Sequence, residues 1–228
     1  MTETHNSEQA YYIYQCLKPS CRFRFPNNKT NSPDRVCPKC GSPTQKIKWL
    51  PPSNCEEVNT GARQRIEILL DNIRSVFNVG SIFRTADGAG IDHIHLCGIT
   101  PTPDHPKMQK TALGAQLTLP WAQHWNSLEV IDQKKREGYQ IWCLEGGQGS
   151  IPIYKPLQQL NAVPLLLVLG SETTGVDPAL RKRCDYLVNL PMLGIKESLN
   201  VATAFGIAVY LIRFYPQLLN IESGSSAG

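Results

Sequence analysis

The chain has 228 residues, of which 41% are hydrophobic and 18% charged, so it is long enough to form one or two folded domains. The polar start MTETHNSEQA lacks the apolar core of a signal peptide, and no apolar run reaches the length of a membrane span. We therefore expect a cytoplasmic protein with no membrane partner, whose eight cysteines do not readily form disulfides. The net charge of +4 is concentrated in residues 1–50, which hold eight Lys/Arg and three Asp/Glu, and this favours a polyanionic partner.

Four cysteines near the N-terminus have a spacing close to that of a zinc ribbon. Four residues separate Cys16 from Cys21, two separate Cys37 from Cys40, and fifteen lie between the two pairs. A segment of this length buries little apolar surface, so a metal ion bound by four thiolates would stabilise it. We predict a structural zinc ribbon over residues 11–50, with Zn²⁺ bound by these four cysteines.

Basic and aromatic residues alternate along the predicted ribbon. The tyrosine run at 11–14 and the pair Phe23 and Phe25 predict short strands. The basic residues could bind RNA phosphates while aromatic rings stack on bases, but zinc ribbons also dock proteins, and both interpretations stay open. The Pro- and Asn-rich segment 51–62 predicts a linker, in which Cys55 is not expected to be a ligand. The basic residues in question are Arg22, Arg24, Lys29, Arg35, Lys46 and Lys48, with Trp49 beside them.

A strand–helix–strand pattern follows the linker. Ile66–Leu70 and residues 91–99 predict two buried strands, and the segment between them predicts a helix that Asn78 caps and Gly88–Gly90 ends. Asn78 and Arg84 fall in the first two turns of this helix. There they are placed to meet a ligand at the carboxyl edge of a sheet, although a helix cap and a surface cation are the alternative.

The next segment, residues 100–127, has no clear periodicity and predicts an irregular structure. Lys107 and Lys110 within it are candidates for contact with a substrate phosphate. His105 and His124 have no partner at metal-ligand spacing and are interpreted as polar surface residues. Residues 128–137 predict a solvated surface helix.

Three further buried strands are predicted at residues 139–144, 164–170 and 185–190. The second runs into GSETTGVD, where Glu172 is the single acid between two glycines and Gly170 permits close approach of the main chain. An acid at the carboxyl end of a strand is often functional, although polar turn residues also occur there. The predicted elements together indicate an α/β fold.

The stretch Leu190–Ile212 joins a polar loop to an apolar helix. From Val201 to Ile212, apolar residues occur at helical spacing and also fill much of the opposite face, which predicts a buried helix. Ser198 or Asn200 would cap its first turn. Residues after Asn220 are expected to be disordered.

Three segments in this order resemble the three motifs of the SpoU-type RNA 2′-O-ribose methyltransferases of the SPOUT superfamily. They are NVGSIFRTADGAG (78–90), LLLVLGSETTGVDP (165–178) and LPMLGIKESLNVATAFGIAVYL (190–211). The resemblance implies a domain over residues 63–217 with a deep trefoil knot in its C-terminal part, and S-adenosylmethionine-dependent methylation of a ribose 2′-hydroxyl in tRNA or rRNA. The alternative is a non-catalytic RNA-binding protein that retains the fold.

The resemblance also implies the residues of the site. It assigns the cofactor to three loops whose contributing residues are Leu144, Glu145, Gly146, Leu169, Gly170, Leu190, Met192, Ser198 and Leu199. The implied active-site residues are Asn78, Arg84, Glu172, Ser198 and Asn200. Similar proteins are homodimers in which the arginine crosses the subunit interface, and a homodimer through the knot region is therefore expected.

Overall fold

The computed structural model describes residues 12–27, 36–48, 63–158 and 163–224. By their internal contacts, residues 1–60 and 61–228 form two compact units. Several features of the sequence analysis lie outside the described residues, namely the polar start at 1–10, the predicted linker 51–62 with Cys55, and Lys29, Arg35 and Trp49.

The N-terminal unit contains a three-stranded antiparallel sheet in the order β2-β1-β3. Its strands are β1 (Tyr12–Cys16), β2 (Arg24–Asn27) and β3 (Thr44–Lys48). The first two confirm the strands predicted from the aromatic residues, whereas β3 has no counterpart among the predicted strands. The first cysteine pair begins where β1 ends, and the second lies on a turn closed by a 2.8 Å hydrogen bond from the Gly41 amide to the Cys37 carbonyl.

The C-terminal unit is built on a seven-stranded sheet in the order β6-β5-β4-β9-β7-β10-β8, and every neighbouring pair is parallel. This confirms the predicted α/β fold. The knot implied by the family resemblance stays a prediction, because strand order alone does not define how the chain is threaded. The strands are β4 (Ile66–Asp71), β5 (His93–Cys97), β6 (Trp121–His124), β7 (Gln140–Leu144), β8 (Ile151–Pro152), β9 (Leu165–Leu169) and β10 (Tyr186–Asn189).

Helices connect the strands of the sheet. The first helix of this unit starts at Val76, one turn earlier than predicted. Its N-cap is Ser75 and not Asn78, because the Ser75 hydroxyl accepts a hydrogen bond from the main-chain amide of Asn78. The last begins at Val201 as predicted and continues to Gly224, so the expectation of disorder after Asn220 is wrong for residues 221–224. The helices are α1 (Val76–Gly88), α2 (Gln109–Ala112), α3 (Ala115–Thr118), α4 (Ser127–Arg136), α5 (Tyr154–Leu157), α6 (Pro178–Arg181) and α7 (Val201–Gly224).

Apolar side chains cover both faces of the parallel sheet. In β4, Ile68 belongs to a cluster that includes Phe83 of α1 and Phe205 of α7. The next residue, Leu69, points to the other face and joins a cluster that includes Ile131 of α4. Burial on both faces explains why the central strands are continuously apolar in sequence, and it fixes the sheet edge at which the loops of the site meet.

A buried polar cluster interrupts the second of these apolar layers. Glu67 of β4 is 1% exposed, and its carboxylate lies 2.8 Å from both His95 Nε2 and Lys134 Nζ and 2.5 Å from the hydroxyl of Tyr139. His124 Nε2 lies 3.0 Å from His95 Nδ1. Burial raises the pKa of Glu67, but the hydrogen bonds from His95, Lys134 and Tyr139 outweigh it and leave the pKa lowered. The interpretations of Lys134 as solvated and of His124 as a surface residue are therefore wrong.

Two other expectations are also wrong. Residues 100–127 are not irregular throughout, since they contain α2, α3 and the edge strand β6. Cys143 and Cys184 form a disulfide, with Cα atoms 6.0 Å apart, although the sequence analysis expects thiols. In the described part of the chain, no helix combines the length and the apolar character that crossing a membrane requires.

Candidate functional site

One cavity at the carboxyl edge of the parallel sheet contains all nine residues predicted to bind a cofactor. It has a volume of about 520 Å³ and is lined by residues from three segments, 144–146, 169–176 and 189–204, which begin at the ends of β7, β9 and β10. We call it the carboxyl-edge cavity. The carboxyl ends of neighbouring parallel strands lie side by side, so three loops that are distant in sequence meet there. The predicted residues on its wall are Leu144, Glu145, Gly146, Leu169, Gly170, Leu190, Met192, Ser198 and Leu199.

The carboxylate of Glu172 binds the N-terminal end of α1. Its Oε2 accepts a 2.9 Å hydrogen bond from the Arg74 amide, and its Oε1 accepts from the Ser75 amide at 3.2 Å and from Asn78 Nδ2 at 2.8 Å. Burial raises the pKa of Glu172, but these three hydrogen bonds outweigh it and lower the pKa. Glu172 is therefore an ionised anchor with both oxygens occupied, located where a helix N-terminus favours negative charge.

Asn200 connects the same network to α7. Its Oδ1 accepts hydrogen bonds from the amides of Ala202 at 3.0 Å and Thr203 at 3.3 Å, which makes it the N-cap of α7. Its Nδ2 donates to Asn78 Oδ1 at 3.1 Å. Of the two predicted caps, Ser198 or Asn200, the structure selects Asn200. A chain of side-chain hydrogen bonds thus runs from Glu172 through Asn78 to Asn200 and joins the three segments of the site.

The loop after β9 is closed tightly on itself. A Cβ at Gly170 would overlap the main chain of Gly175, so only glycine at position 170 allows the two ends of the loop to come this close. Glu145 closes the loop from the side, because its Oε2 accepts a 2.7 Å hydrogen bond from the Val176 amide and its Oε1 lies 3.6 Å from Arg181 Nη1. The carboxylate of Glu145 is therefore engaged with protein groups even though the residue lines the cavity.

The loop before α7 is more open. Ser198 lines the cavity and is exposed, and among the described residues its hydroxyl has no hydrogen-bond partner. At the tip of this loop, Leu193 and Ile195 are almost fully exposed on either side of Gly194. Ser198 is thus available to a ligand, whereas Glu172, Asn78 and Asn200 already bind one another.

Arg84 is the one predicted active-site residue that does not meet the others. It lies six residues after Asn78, about 9 Å along the axis of α1, and it lines a separate cavity of about 600 Å³. We call this the α1–α2–α7 cavity. Its lining consists of Ser81, Arg84 and Thr85 of α1, Lys110 and Thr111 of α2, and Tyr210 of α7. Within one chain, the arginine and the carboxyl-edge cavity are therefore parts of two different surfaces.

Some residues of the site were not predicted. The amides of Arg74 and Ser75 bind Glu172, and Arg181 lies beside Glu145. Ser75 carries a readable signal, because serine directly before an apolar helical turn is a common N-cap. Arg181 carries none, because its neighbour Glu145 lies on a different loop and only the fold brings them together.

The four predicted zinc ligands meet in the N-terminal unit. Each of Cys16, Cys21, Cys37 and Cys40 places its Sγ within 4.8 Å of the others. Two separations are 3.6 Å (Cys16 to Cys40) and 3.9 Å (Cys21 to Cys37). Tetrahedral Zn²⁺ with Zn–S bonds of about 2.3 Å places its sulfurs roughly 3.8 Å apart, so the arrangement fits this ion.

The sequence of the chain matches a known protein family. The model of the SpoU rRNA Methylase family matches residues 65–210. The chain is 29% identical to the 23S rRNA (guanosine(2553)-2′-O)-methyltransferase RlmP of Bacillus subtilis over 186 residues, which cover 81% of this chain and 67% of the relative. It is 31% identical over 148 residues to the 23S rRNA (guanosine-2′-O-)-methyltransferase RlmB of Pseudomonas syringae pv. tomato, covering 63% of this chain and 56% of that one.

A solved structure shows the same fold. The crystal structure of an AdoMet-bound rRNA methyltransferase from Sinorhizobium meliloti aligns with a TM-score of 0.62 and 28% identity, over 67% of this chain and 57% of that one. The present chain thus spans little more than half the length of this protein and of the Pseudomonas relative.

Proposed function

Because the chain belongs to the SpoU rRNA Methylase family, we propose that it transfers the methyl group of S-adenosylmethionine to a ribose 2′-hydroxyl of RNA. The observation that carries this proposal is the joining of the three family segments by the hydrogen bonds between Glu172, Asn78 and Asn200 beside one cavity. The similar proteins named as rRNA 2′-O-methyltransferases support rRNA as the substrate class, with tRNA as the other candidate.

The carboxyl-edge cavity suits S-adenosylmethionine. Its volume lies within the range of small-molecule sites, which is roughly 300–1,000 Å³. Leu144, Leu190 and Leu199 supply apolar contacts for an adenine ring, and the main chain at Gly146 is open to close approach by a ligand. We assign the cofactor to the nine residues predicted for it, with Glu145 acting through the main chain around it because its carboxylate is already bound.

The cofactor supplies an electrophilic sulfonium methyl group, and the chain supplies the alignment of the hydroxyl that attacks it. The new bond joins the ribose 2′-oxygen to the methyl carbon as the sulfur–carbon bond breaks; the sulfur leaves as a neutral thioether, and the proton of the hydroxyl passes to solvent. The N-terminal ends of α1 and α7 are held together by the hydrogen bonds between Asn78, Glu172 and Asn200. The hydroxyl of Ser198 can contact the ribose or the cofactor. Alignment of this kind accounts for a large part of the rate of such transfers.

Neither charged residue of the set is suited to accept the proton of the 2′-hydroxyl. Both oxygens of Glu172 accept hydrogen bonds and its pKa is lowered, which makes it a weak base. Arginine stays protonated in proteins, so Arg84 is better suited to bind the neighbouring phosphate and to stabilise negative charge on the attacking oxygen. Both residues therefore position and stabilise the reacting groups.

We propose that the active form is a homodimer, in which each subunit supplies Arg84 to the carboxyl-edge cavity of the other. Arg84 lines a surface separate from that cavity, and beside it on α7 the apolar residues Ile207 and Tyr210 are 43% and 45% exposed. The sequence pattern predicts burial for residues 201–212 of α7, and a second copy packed here would provide it. Burial of this apolar strip would also supply association free energy.

Mixing two impaired variants tests the dimer. If Arg84 acts across the interface, combining Arg84→Ala with Asn200→Ala chains creates heterodimers with one intact site, and methyl transfer rises well above that of either variant. If Arg84 acts within its own chain, both sites of every heterodimer stay defective and the mixture is no more active than its components. Light scattering of the wild type supplies the independent measurement, since a monomer that methylates RNA contradicts the proposal.

The N-terminal unit is proposed to be a zinc ribbon over residues 11–50 that docks RNA, joined by a linker at 51–62 to a methyltransferase domain at 63–217 with a trefoil knot. The described basic residues and the stacked rings of Phe23 and Phe25, with centroids 5.9 Å apart, support the RNA-docking role. The lack of a membrane-crossing helix among the described residues is in keeping with a cytoplasmic place of work.

The decisive experiment is ribose-methylation mapping of total RNA with and without the gene, followed by reconstitution with purified protein. We expect one or more 2′-O-methylated nucleosides that need the protein and S-adenosylmethionine. A methyl group on a base would contradict the proposed chemistry. Absence of cofactor binding in calorimetry would favour the alternative, an RNA-binding protein without catalytic activity.

A further inference from the structure

We propose that the α1–α2–α7 cavity binds a phosphate group of the RNA backbone and that Lys110 is its second cationic ligand beside Arg84. This inference rests on the proposed function, because it takes the RNA substrate from there. The sequence offered Lys107 and Lys110 equally as phosphate contacts, and the structure places Lys110 alone in a defined site with Arg84. Three observations carry it: the arrangement of the lining, its charge, and the contact that holds α2 in place.

The cavity is a groove over one face of α1. Ser81, Arg84 and Thr85 follow the i, i+3, i+4 spacing, so they share one side of the helix. On one flank lies α2 with Lys110 and Thr111, and on the other lies α7 with Tyr210. Every residue of the lining carries a hydrogen-bonding or charged side chain, so the walls can surround the oxygens of an anion with several donors.

The charge of this groove is unbalanced. Arg84 and Lys110 are both exposed, and in the described part of the chain neither forms an ion pair. No carboxylate lines the cavity. The nearest acid along α1, Asp87, accepts a 3.1 Å hydrogen bond from Thr118 and is not part of the lining. Two cations without counter-ions beside hydroxyl groups match the donor set that phosphate requires.

A close helix contact holds the main chain of α2, which carries Lys110, against α1, which carries Arg84. A Cβ at Gly80 would overlap the side chain of Thr111, so α2 packs directly against the backbone of α1 at this point. Thr111 Oγ1 in turn donates to the Met108 carbonyl at 3.2 Å, and Met108 is fully buried. The neighbour of Thr111, Lys110, is therefore presented to Arg84 by a rigid element.

The site agrees with the separation of Arg84 from Asn78 within one chain. In the proposed homodimer the groove would serve the carboxyl-edge cavity of the other subunit, so Arg84 need not lie near the Asn78 of its own chain. Lys110 would then act on RNA affinity and on ribose placement, with no contact to the cofactor.

Salt-dependent RNA binding tests the inference. The probe is a fluorescein-labelled single-stranded RNA of mixed sequence, and its binding to the full chain is measured by anisotropy over a range of salt concentrations. Loss of one phosphate contact lowers the slope of log K against log salt by roughly 0.7 to 0.9. We expect this decrease for Lys110→Ala, together with a several-fold weaker affinity, and near wild-type behaviour for Lys110→Arg, which keeps the charge.

Lys107→Ala is the matched control. Lys107 lies three residues earlier, is exposed as Lys110 is, and does not line the groove. Its removal changes the total charge by the same amount and should leave the slope unchanged. Equal slopes for Lys110→Ala and the wild type, or equal losses for the two alanine variants, would overturn the inference.

Two further readouts separate this inference from the proposed function. Calorimetry should give the same affinity for S-adenosylmethionine in all four proteins, and KM for RNA should rise in Lys110→Ala more than kcat falls. A wild type that methylates no RNA contradicts the proposed function, whatever the salt slope. A wild type that methylates RNA while Lys110→Ala keeps both slope and KM contradicts the phosphate site alone.

Discussion

The side-chain amide of Asn200 donates a 3.1 Å hydrogen bond to the side-chain oxygen of Asn78, although the two residues are 122 positions apart in the chain. The other end of each side chain is also engaged, because Asn78 donates to Glu172 and Asn200 caps α7. One residue therefore performs two separable tasks, the capping of a helix and the fixing of Asn78.

Two substitutions separate these tasks. Asn200→Asp keeps an oxygen that caps α7 but loses the donor to Asn78, whereas Asn200→Ala loses both. We expect about 1 kcal/mol of lost unfolding free energy in the alanine variant and little in the aspartate variant. Both should lose roughly 10- to 100-fold in methyl transfer, since small misplacements in a site cost rates of this order. Urea unfolding and single-turnover kinetics give the two quantities. Full activity in Asn200→Asp would show that the bond to Asn78 has no role.

Gly170 should not tolerate a methyl group. Gly170→Ala forces the loop after β9 open, because its Cβ would overlap Gly175, and we expect a loss of stability of about 1–3 kcal/mol with weaker cofactor binding. Gly146→Ala is the control for stability, because the nearest protein atom to an added Cβ lies 4.0 Å away. Thermal unfolding compares the two variants, and calorimetric titration of S-adenosylmethionine compares the cofactor affinity of Gly170→Ala with that of the wild type. Equal thermal stability of the two variants would contradict the close approach of Gly170 to Gly175.

Substitution of Glu145 should weaken cofactor binding indirectly, through the loop that its carboxylate holds. Glu145→Ala leaves the Val176 amide without its 2.7 Å acceptor and Arg181 without its partner, so the loop loosens and the cofactor affinity falls, by roughly 5- to 20-fold for a lost charge-assisted hydrogen bond. Glu145→Gln retains an acceptor and should recover most of the affinity. If glutamine were as damaging as alanine, the carboxylate would have to contact the cofactor itself.

Stability should fall on mild acidification. Burial, followed by the neighbouring His95, lowers the pKa of His93 to about 4. An unfolded histidine titrates near 6.5. Between these values the unfolded chain binds more protons than the folded one, so the unfolding free energy decreases as the pH falls from 6.5 to 4, by about 1–2 kcal/mol after allowance for solvent screening.

His93→Gln should flatten this part of the profile, and His105→Gln, a change at an exposed histidine, should not. Urea unfolding at a series of pH values measures this pH dependence of the unfolding free energy. The lowered pKa of Glu67 acts in a lower window, because its contribution is present above the unfolded value of about 4.3 and is lost as the pH falls below it. A profile of His93→Gln parallel to the wild type would contradict the assignment.

The N-terminal unit should bind one zinc ion. Mass spectrometry under native conditions should detect close to one Zn²⁺ per chain in the wild type, and none in a Cys37→Ser, Cys40→Ser variant. A chelator should unfold the unit, because a structural zinc site contributes directly to the folding free energy. Cys55→Ser is the control and should keep the metal. A metal-free preparation that retains the three-stranded sheet would contradict the zinc site.

The sequence predicts the parts of this protein whose signal is local. Leu165–Leu169 is apolar at every position and folds as a central strand, and the helical spacing after Asn200 marks the start of α7 correctly. The co-location of the nine cavity residues came from the family resemblance, since no spacing rule relates Leu144 to Ser198. The family motifs are nonetheless readable because each one is a continuous segment of the chain.

The errors share one physical cause. Lys134 looks like a surface residue because it stands among polar neighbours in the sequence, and only the packing of α4 on β4 pairs it with Glu67. Ser75 and Asn78 are both good caps, and the choice between them is made by Glu172, which lies 94 residues from Asn78. The position of Arg84 apart from the cavity also follows from tertiary structure alone.

The tight loop between Gly170 and Gly175 has a thermodynamic consequence. Because it is fixed by its own main chain and by Glu145, the conformational entropy of this wall is lost when the protein folds. The opposite wall includes Ser198 and Leu199, whose side chains are exposed and lose conformational entropy when a ligand covers them. The cavity thus combines a preorganised half, which sets what can enter, with an adaptable half, which sets how long it stays.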